Sequence, residues 1–258
     1  MGRIGKSFAR RRAEGRAAFV PFLTAGDPSL DRTVEAAVEL ERAGADVLEL
    51  GVPFSDPLAD GPVIQRASER ALARGVTLEA VLGGVRRIRE RSELPLLLFS
   101  YFNPLLQRGL ERLAREAAEA GVDGVLITDL PPEEADGWLG AARGAALDTV
   151  FLAAPTSPPE RLRRVAEASR GFVYAISRTG VTGERRALSD EAAPLVARLR
   201  ELTDVPVALG FGLSTPEQVA EAGKVADGVV VGSALVRFLE EQPEGDLGAQ
   251  VRWLTSAM

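Results

Sequence analysis

The sequence predicts an α/β chain closed into a (β/α)8 TIM barrel, with an extra N-terminal helix and additional helices after strands 2 and 8. Three observations predict it. Eight short apolar runs, at 18–23, 47–51, 95–101, 124–128, 149–153, 172–176, 206–210 and 228–231, are rich in Val, Ile, Leu or Phe and bounded by Gly, Pro, Asp or Ser. Such runs read as strands buried on both faces. Amphipathic stretches lie between them, which implies parallel strands with helical crossovers. Strand starts recur about every 30 residues from Ala18 to Gly228, a spacing at which eight βα units make a barrel of ~250 residues. A doubly wound open sheet is the alternative, but eight even units without a linker signal favour the barrel. The chain is therefore read as one barrel domain, 1–258.

The helices follow from their spacing. A helix at 4–14 precedes strand 1, and 33–43 places Val34, Ala37, Val38 and Leu40 near one face. After strand 2 come two helical stretches, 62–75 and 78–90, and then 110–120, 159–168, 190–201 and 215–222. Strand 8 runs into Gly232-Ser233, which opens a helix at Ala234, and the chain ends in a helix at 247–255. Asp31, Ser157, Ser189 and Ser214 or Thr215 are the expected caps.

Composition excludes whole classes of catalyst. The 258 residues hold no Cys and no His, and Lys occurs only at Lys6 and Lys224. Thiol nucleophiles, Ser-His-Asp triads and the usual zinc spheres are thereby excluded, and two Lys leave little scope for a Schiff base. With 31 basic and 37 acidic residues the net charge is −6, which gives no overall reason to seek nucleic acid or an anionic membrane. The most apolar run, 94–106, carries Ser100 and Asn103 and is too short to span a bilayer. Residues 1–15 are basic but lack the apolar stretch of a secretory signal. The expectation is a cytoplasmic chain whose chemistry comes from carboxylates, hydroxyls, Arg and backbone dipoles.

In a barrel the site lies at the C-terminal ends of the strands. Strand 2 carries Glu49 amid apolar neighbours. Left charged and unpaired, a buried acid costs several kcal/mol, so its pKa rises toward the range of a general acid or base. An ion pair with one of the many Arg is the competing reading. The loop that follows adds Asp60, which could join Glu49 as a second carboxylate or cap the helix near Pro62. Glycines close strands 6 to 8: Gly180 and Gly183 in loop 6, Gly212 after strand 7, and Gly232-Ser233 opening a helix. Backbone N–H groups there suit a phosphate. Both Tyr, Tyr101 and Tyr174, fall at strand ends, and with Phe22, Ile64, Phe99, Leu126 and Phe211 they could line an apolar pocket for an aromatic ring.

These residues now fall into recognisable motifs. PFLTAGDP at 21–28 and LELGVPFSDPLADGPVIQ at 48–65 resemble the tryptophan synthase α subunit family closely. YFNP at 101–104, DLP at 129–131, APT at 154–156, GVTG at 180–183, GFG at 210–212 and VGSA at 231–234 follow in order. The resemblance spans 20–239. It implies a lyase of the last steps of L-tryptophan biosynthesis, cleaving indole-3-glycerol phosphate to indole and glyceraldehyde 3-phosphate. By that resemblance Glu49 is the general acid/base, Asp60 stabilises charge at the indole nitrogen, and Tyr174 stands near the acid. Gly183, Gly212, Gly232 and Ser233 hold phosphate, and Thr182 belongs to a loop that closes over substrate. Phe22, Ile64, Tyr101 and Phe211 complete the expected pocket. No metal and no cofactor are implied in this subunit. Pyridoxal phosphate is expected only in a partner β subunit of an αββα complex, docked through Asp56, Asn103, Pro104, Asp129 and Pro131. The alternatives are a stand-alone lyase that releases indole and a catalytically weak subunit that activates its partner. The composition agrees with the lyase. Without a usable Lys or His, carbon–carbon cleavage is left to a protonated indole ring as electron sink, which needs a carboxylic acid and a carboxylate.

Overall fold

The computed structural model describes residues 1–176, 190–210 and 212–258. The strands are β1 (Ala18–Thr24), β2 (Leu48–Gly51), β3 (Leu96–Ser100), β4 (Gly124–Ile127), β5 in two runs (Asp148–Val150 and Leu152–Ala153), β6 (Val173–Ile176), β7 (Val207–Gly210) and β8 (Gly228–Val231). Each of the eight predicted runs coincides with one of them to within a residue at either end, β1 extending to Thr24 and β5 starting at Asp148. All pairs are parallel, with Phe22 opposite Glu49 and Glu49 opposite Leu97. The ladder runs from Asp148–Val150 through β4, β3, β2, β1, β8, β7 and β6 to Leu152–Ala153. Its two ends are successive pieces of one strand broken at Phe151. The sheet therefore closes on itself as the predicted barrel, with a seam inside β5.

Two apolar layers follow from the alternation of strand side chains. One packs Phe19, Leu23, Leu48, Leu50, Leu96 and Leu98 outward against the helices. The other fills the barrel with Val20, Phe22, Val47, Leu97, Leu126, Val150, Tyr174 and Val230. The N-terminal helix α1 (Arg3–Ala13) closes the lower end. Its Ile4 and Phe8 join the inner layer, and the Phe8 ring stacks on Phe172 at 5.3 Å. Gly228 makes room, because a Cβ there would lie 2.6 Å from Phe8 Cε1. At the same end Asp46 is 1% exposed and fully engaged. It accepts hydrogen bonds from Arg11 Nε at 2.7 Å, Arg10 Nη2 at 2.9 Å and the Phe19 N–H at 2.9 Å.

The outer helices are α2 (Leu30–Arg42), α3 (Pro62–Ala73), α4 (Leu78–Arg89), α5 (Phe102–Arg108), α6 (Leu110–Ala120), α7 (Asp136–Gly144), α8 (Pro159–Ala168), α9 (Ala192–Arg200), α10 (Pro216–Val225), α11 (Ser233–Glu241) and α12 (Leu247–Leu254). Two were not among the predicted helices. In α5, Pro104 reads as a turn residue, yet it sits in the first turn, where its missing N–H removes no helical bond. In α7, three glycines mask a helix held by buried Trp138 and Ala142, four residues apart on one face. The caps also need correction. Ser29 rather than Asp31 caps α2 by accepting the Arg32 N–H. The Ser157 hydroxyl accepts the Ala154 N–H within a turn instead of capping α8. Thr215 does cap α10, in a reciprocal box with Gln218. Ser189 lies outside the described residues.

Candidate active site

Glu49 lies on β2 between Phe22 and Leu97 of its neighbours, 1% exposed. Its Oε1 is buried without a hydrogen-bond partner. Desolvation pushes the carboxyl from its ordinary 4.5 to about 8. Among the described residues, the ion pair weighed as the competing reading does not form at this position. Apolar walls surround the group instead: the Phe22 and Phe99 rings meet edge-to-face at 5.3 Å. Gly51 allows this, since a Cβ there would sit 2.5 Å from Phe22 Cζ.

Asp60 comes from the loop that follows β2. It does not cap α3, whose N-cap is Gly61. Its Oδ2 instead accepts the Tyr101 hydroxyl at 2.9 Å, and that hydroxyl oxygen accepts the Ala59 N–H at 3.0 Å. The Gln65 side chain donates to the Asp60 carbonyl at 2.9 Å. The Tyr101 ring stacks on Phe54 at 4.9 Å. Burial raises the Asp60 carboxyl to about 6, and the Tyr101 hydrogen bond opposes that rise. Tyr101 is thus a brace behind Asp60. Its placement at a strand end was legible, but its pairing with Asp60 needs the folded loop. Gln65 and the Ala59 N–H were not singled out by sequence reasoning for the same reason.

Across the barrel Tyr174 rises from β6, 5% exposed. Its hydroxyl stays protonated, held up by burial and by the nearby Glu49 and Asp60 carboxyls. Gly210 makes its position possible, because a Cβ there would clash with the Tyr174 hydroxyl. One cleft brings together Phe22, Glu49, Asp60, Ile64, Phe99, Tyr174, Gly212, Gly232 and Ser233. Gly212 has φ +80°. Gly232 is the N-cap of α11 and Ser233 its first residue, without a side-chain cap. The free N–H groups and dipole of a helix start suit an anion. The cleft therefore has an acidic, aromatic-walled part and a part, at the start of α11, suited to an anion.

Leu126 lies fully buried in the inner layer. Thr182, Gly183 and Phe211 lie outside the described residues. Asp56, Asn103 and Asp129 are exposed on the rim, while Pro104 and Pro131 are half-buried. Asp129 Oδ1 accepts the Phe102 N–H at 2.7 Å, so it holds the start of α5. Among the described residues no group of three or more acids could hold a metal ion, and no helix is long and apolar enough to cross a membrane.

Residues 8–256 match the family model of the tryptophan synthase alpha chain. The chain belongs to the tryptophan synthase alpha chain family. A relative named tryptophan synthase alpha chain from Solibacter usitatus is 56% identical over 244 residues, 95% of this chain and 91% of that one. One from Geobacter sulfurreducens is 51% identical across 100% of this chain and 98% of its own. A solved tryptophan synthase structure from Mycobacterium tuberculosis superposes with a TM-score of 0.93 at 42% identity, covering 99% of this chain and 98% of that one. The activity that goes with this family is cleavage of indole-3-glycerol phosphate, a carbon–carbon lyase reaction of tryptophan biosynthesis. Matches over nearly the whole length favour the lyase over the weakly catalytic alternative.

Proposed function

We propose that Glu49 and Asp60 carry the cleavage as an acid–base pair whose protonation states are set apart by their surroundings. The observation that carries this is the buried, unpartnered Glu49 Oε1 in one cleft with Asp60. Near neutral pH a carboxyl raised to about 8 keeps its proton, whereas one at about 6 is largely ionised. Glu49 gives its proton to C3 of the indole ring, and Asp60 stabilises the positive charge that develops at the ring nitrogen. The Glu49 carboxylate then takes the proton of the hydroxyl on the side-chain carbon attached to C3. That oxygen becomes the aldehyde of glyceraldehyde 3-phosphate. The carbon–carbon bond breaks, and its electrons neutralise the ring to give indole. One proton leaves the hydroxyl and one arrives at C3, so the step balances.

Gly212, Gly232 and Ser233 hold the phosphate at the start of α11, with Gly183 and Thr182 assigned to the same end. Tyr174, Phe22, Ile64 and Phe211 wall the ring, and Tyr101 fixes Asp60. The subunit needs no cofactor of its own. Its partner is a β subunit that carries pyridoxal phosphate, docked through Asp56, Asn103, Pro104, Asp129 and Pro131. The chain works in the cytoplasm as a single barrel domain.

An indole-release assay tests the mechanism, run on wild type and Glu49→Gln at saturating substrate with and without the β subunit. The expected result is a fall in kcat of roughly 10²–10⁴-fold for the variant in both conditions. A variant near wild-type rate would remove Glu49 from the chemistry.

A further inference from the structure

One guanidinium outside the cleft lining ties together three elements of the barrel. Arg70 on α3 donates from Nε and Nη2 to Asp27 Oδ1 and Oδ2, at 2.9 and 2.6 Å. Its Nη1 donates to Glu240 Oε1 on α11 at 2.7 Å. Asp27 stands in the loop after β1 and is 5% exposed. Arg66, one turn earlier on α3, reaches the same Glu240 at 3.4 Å. Units 1, 2 and 8 of the barrel therefore meet at this side chain.

Units 2 and 8 supply the acid pair and the helix start of the cleft. α3 begins at Pro62, two residues after Asp60, and its Ile64 lines the cleft. α11 begins at Ser233. Ser233 and Glu240 are seven residues apart, so they share one face about 10 Å apart along the axis. Below the ion pairs, Val63 and Ala67 of α3 pack with Val236 of α11. Apolar contacts of that kind are non-directional and permit sliding. A planar guanidinium held in a two-pronged carboxylate contact does not, because its fork fixes direction as well as distance.

We propose that Arg70 is a positioning residue for the cleavage, setting the distance between the acid pair and the anion-binding start of α11. The inference rests on the reading of the cleft given above. The substrate bridges both halves, with its ring at Glu49 and Asp60 and its phosphate at Ser233. An error in their separation displaces C3 from the proton it must receive while leaving each half able to bind its own fragment. A displacement near 1 Å is enough to lower a rate by about a hundredfold.

The test measures kcat for indole release, inhibition by inorganic phosphate, and thermal unfolding in Arg70→Met, Arg70→Lys and Glu240→Gln beside wild type. Arg70→Met is expected to lose roughly 10–100-fold in kcat, with the phosphate inhibition constant within threefold of wild type. Arg70→Lys restores a cation without the fork and is expected to recover part of that loss. Glu240→Gln removes the charge from only the α11 arm, weakening it at a half-buried side chain. It is expected to lower kcat roughly three- to tenfold at an unchanged melting temperature. If Arg70→Met does not fold, Glu240→Gln decides. Wild-type kcat in Glu240→Gln overturns the proposal, as does phosphate inhibition lost in step with kcat. A wild-type chain that releases no indole removes the reading of the cleft and the proposal with it. Wild-type release with Arg70→Met within threefold removes the proposal alone.

Discussion

Asp46 and Glu49 stand at opposite ends of one short segment of chain, and each is 1% exposed. Asp46 meets Arg10, Arg11 and the Phe19 N–H. Glu49 meets aromatic rings and leaves Oε1 without a partner. Equal burial thus yields two different groups. Where arginines reach from α1, the carboxyl becomes an anchor for the N-terminal helix. Where the barrel interior offers aromatic walls and, among the described residues, no cation, it becomes an acid that keeps its proton at neutral pH. Burial alone does not distinguish structure from chemistry; the partner does.

Either carboxyl can be removed on its own. Asp46→Ala is expected to have the largest effect on stability. It leaves the buried Phe19 N–H without its acceptor and removes the partner that Arg10 and Arg11 share, lowering unfolding free energy by about 2–4 kcal/mol, while the folded fraction keeps its kcat. Denaturant unfolding beside an indole assay would check both; lost kcat at full folding would show that the two acids are coupled.

Glu49→Gln should do the opposite to stability. Folding moves this carboxyl from its ordinary 4.5 to about 8, so the native chain holds an extra proton between those values. Stability therefore falls as pH rises through that window. The amide removes the dependence, and the variant should exceed wild type by about 2 kcal/mol or more at pH 9 and match it near pH 4. Melting temperatures at the two pH values decide; a wild type that is not destabilised between them would mean Glu49 has found a partner.

The smallest expected change concerns Asp60. The proposed mechanism needs Glu49 protonated and Asp60 ionised, so kcat/KM should be bell-shaped with limbs near 6 and 8. Tyr101→Phe removes a hydrogen bond that favours the ionised Asp60, so the acidic limb should move up by roughly half a unit to one unit. An unmoved limb would assign it to another group.

Much of this contrast was legible before folding. The period of the apolar runs located β1 to β8, because strands buried on both faces need unbroken apolar sequence. Glu49 was visible because an acid interrupts such a run. What was hidden depends on contacts between distant segments. The ion pair considered for Glu49 belongs to Asp46, and only the docking of α1 under the barrel decides which acid the arginines reach. Tyr101 could be placed at a strand end, but its bond to Asp60 joins residues 41 positions apart. The helices α5 and α7 were obscured by Pro104 and by three glycines, whose local preferences yield to packing around Leu105 and Trp138.

Ile4, Phe8 and Phe172 make the barrel a vessel with a stopper at one end. On the proposed site, reactant and both products would share a single rim. Triose phosphate is highly soluble, and water draws it out. On the proposed reading indole, being apolar, would favour whatever apolar surface borders that rim. Leu58, 86% exposed, and Leu106, 49% exposed, lie on segments at that border. By stoppering the far end, the N-terminal helix turns the choice of neighbour at the rim into a choice of destination for the product.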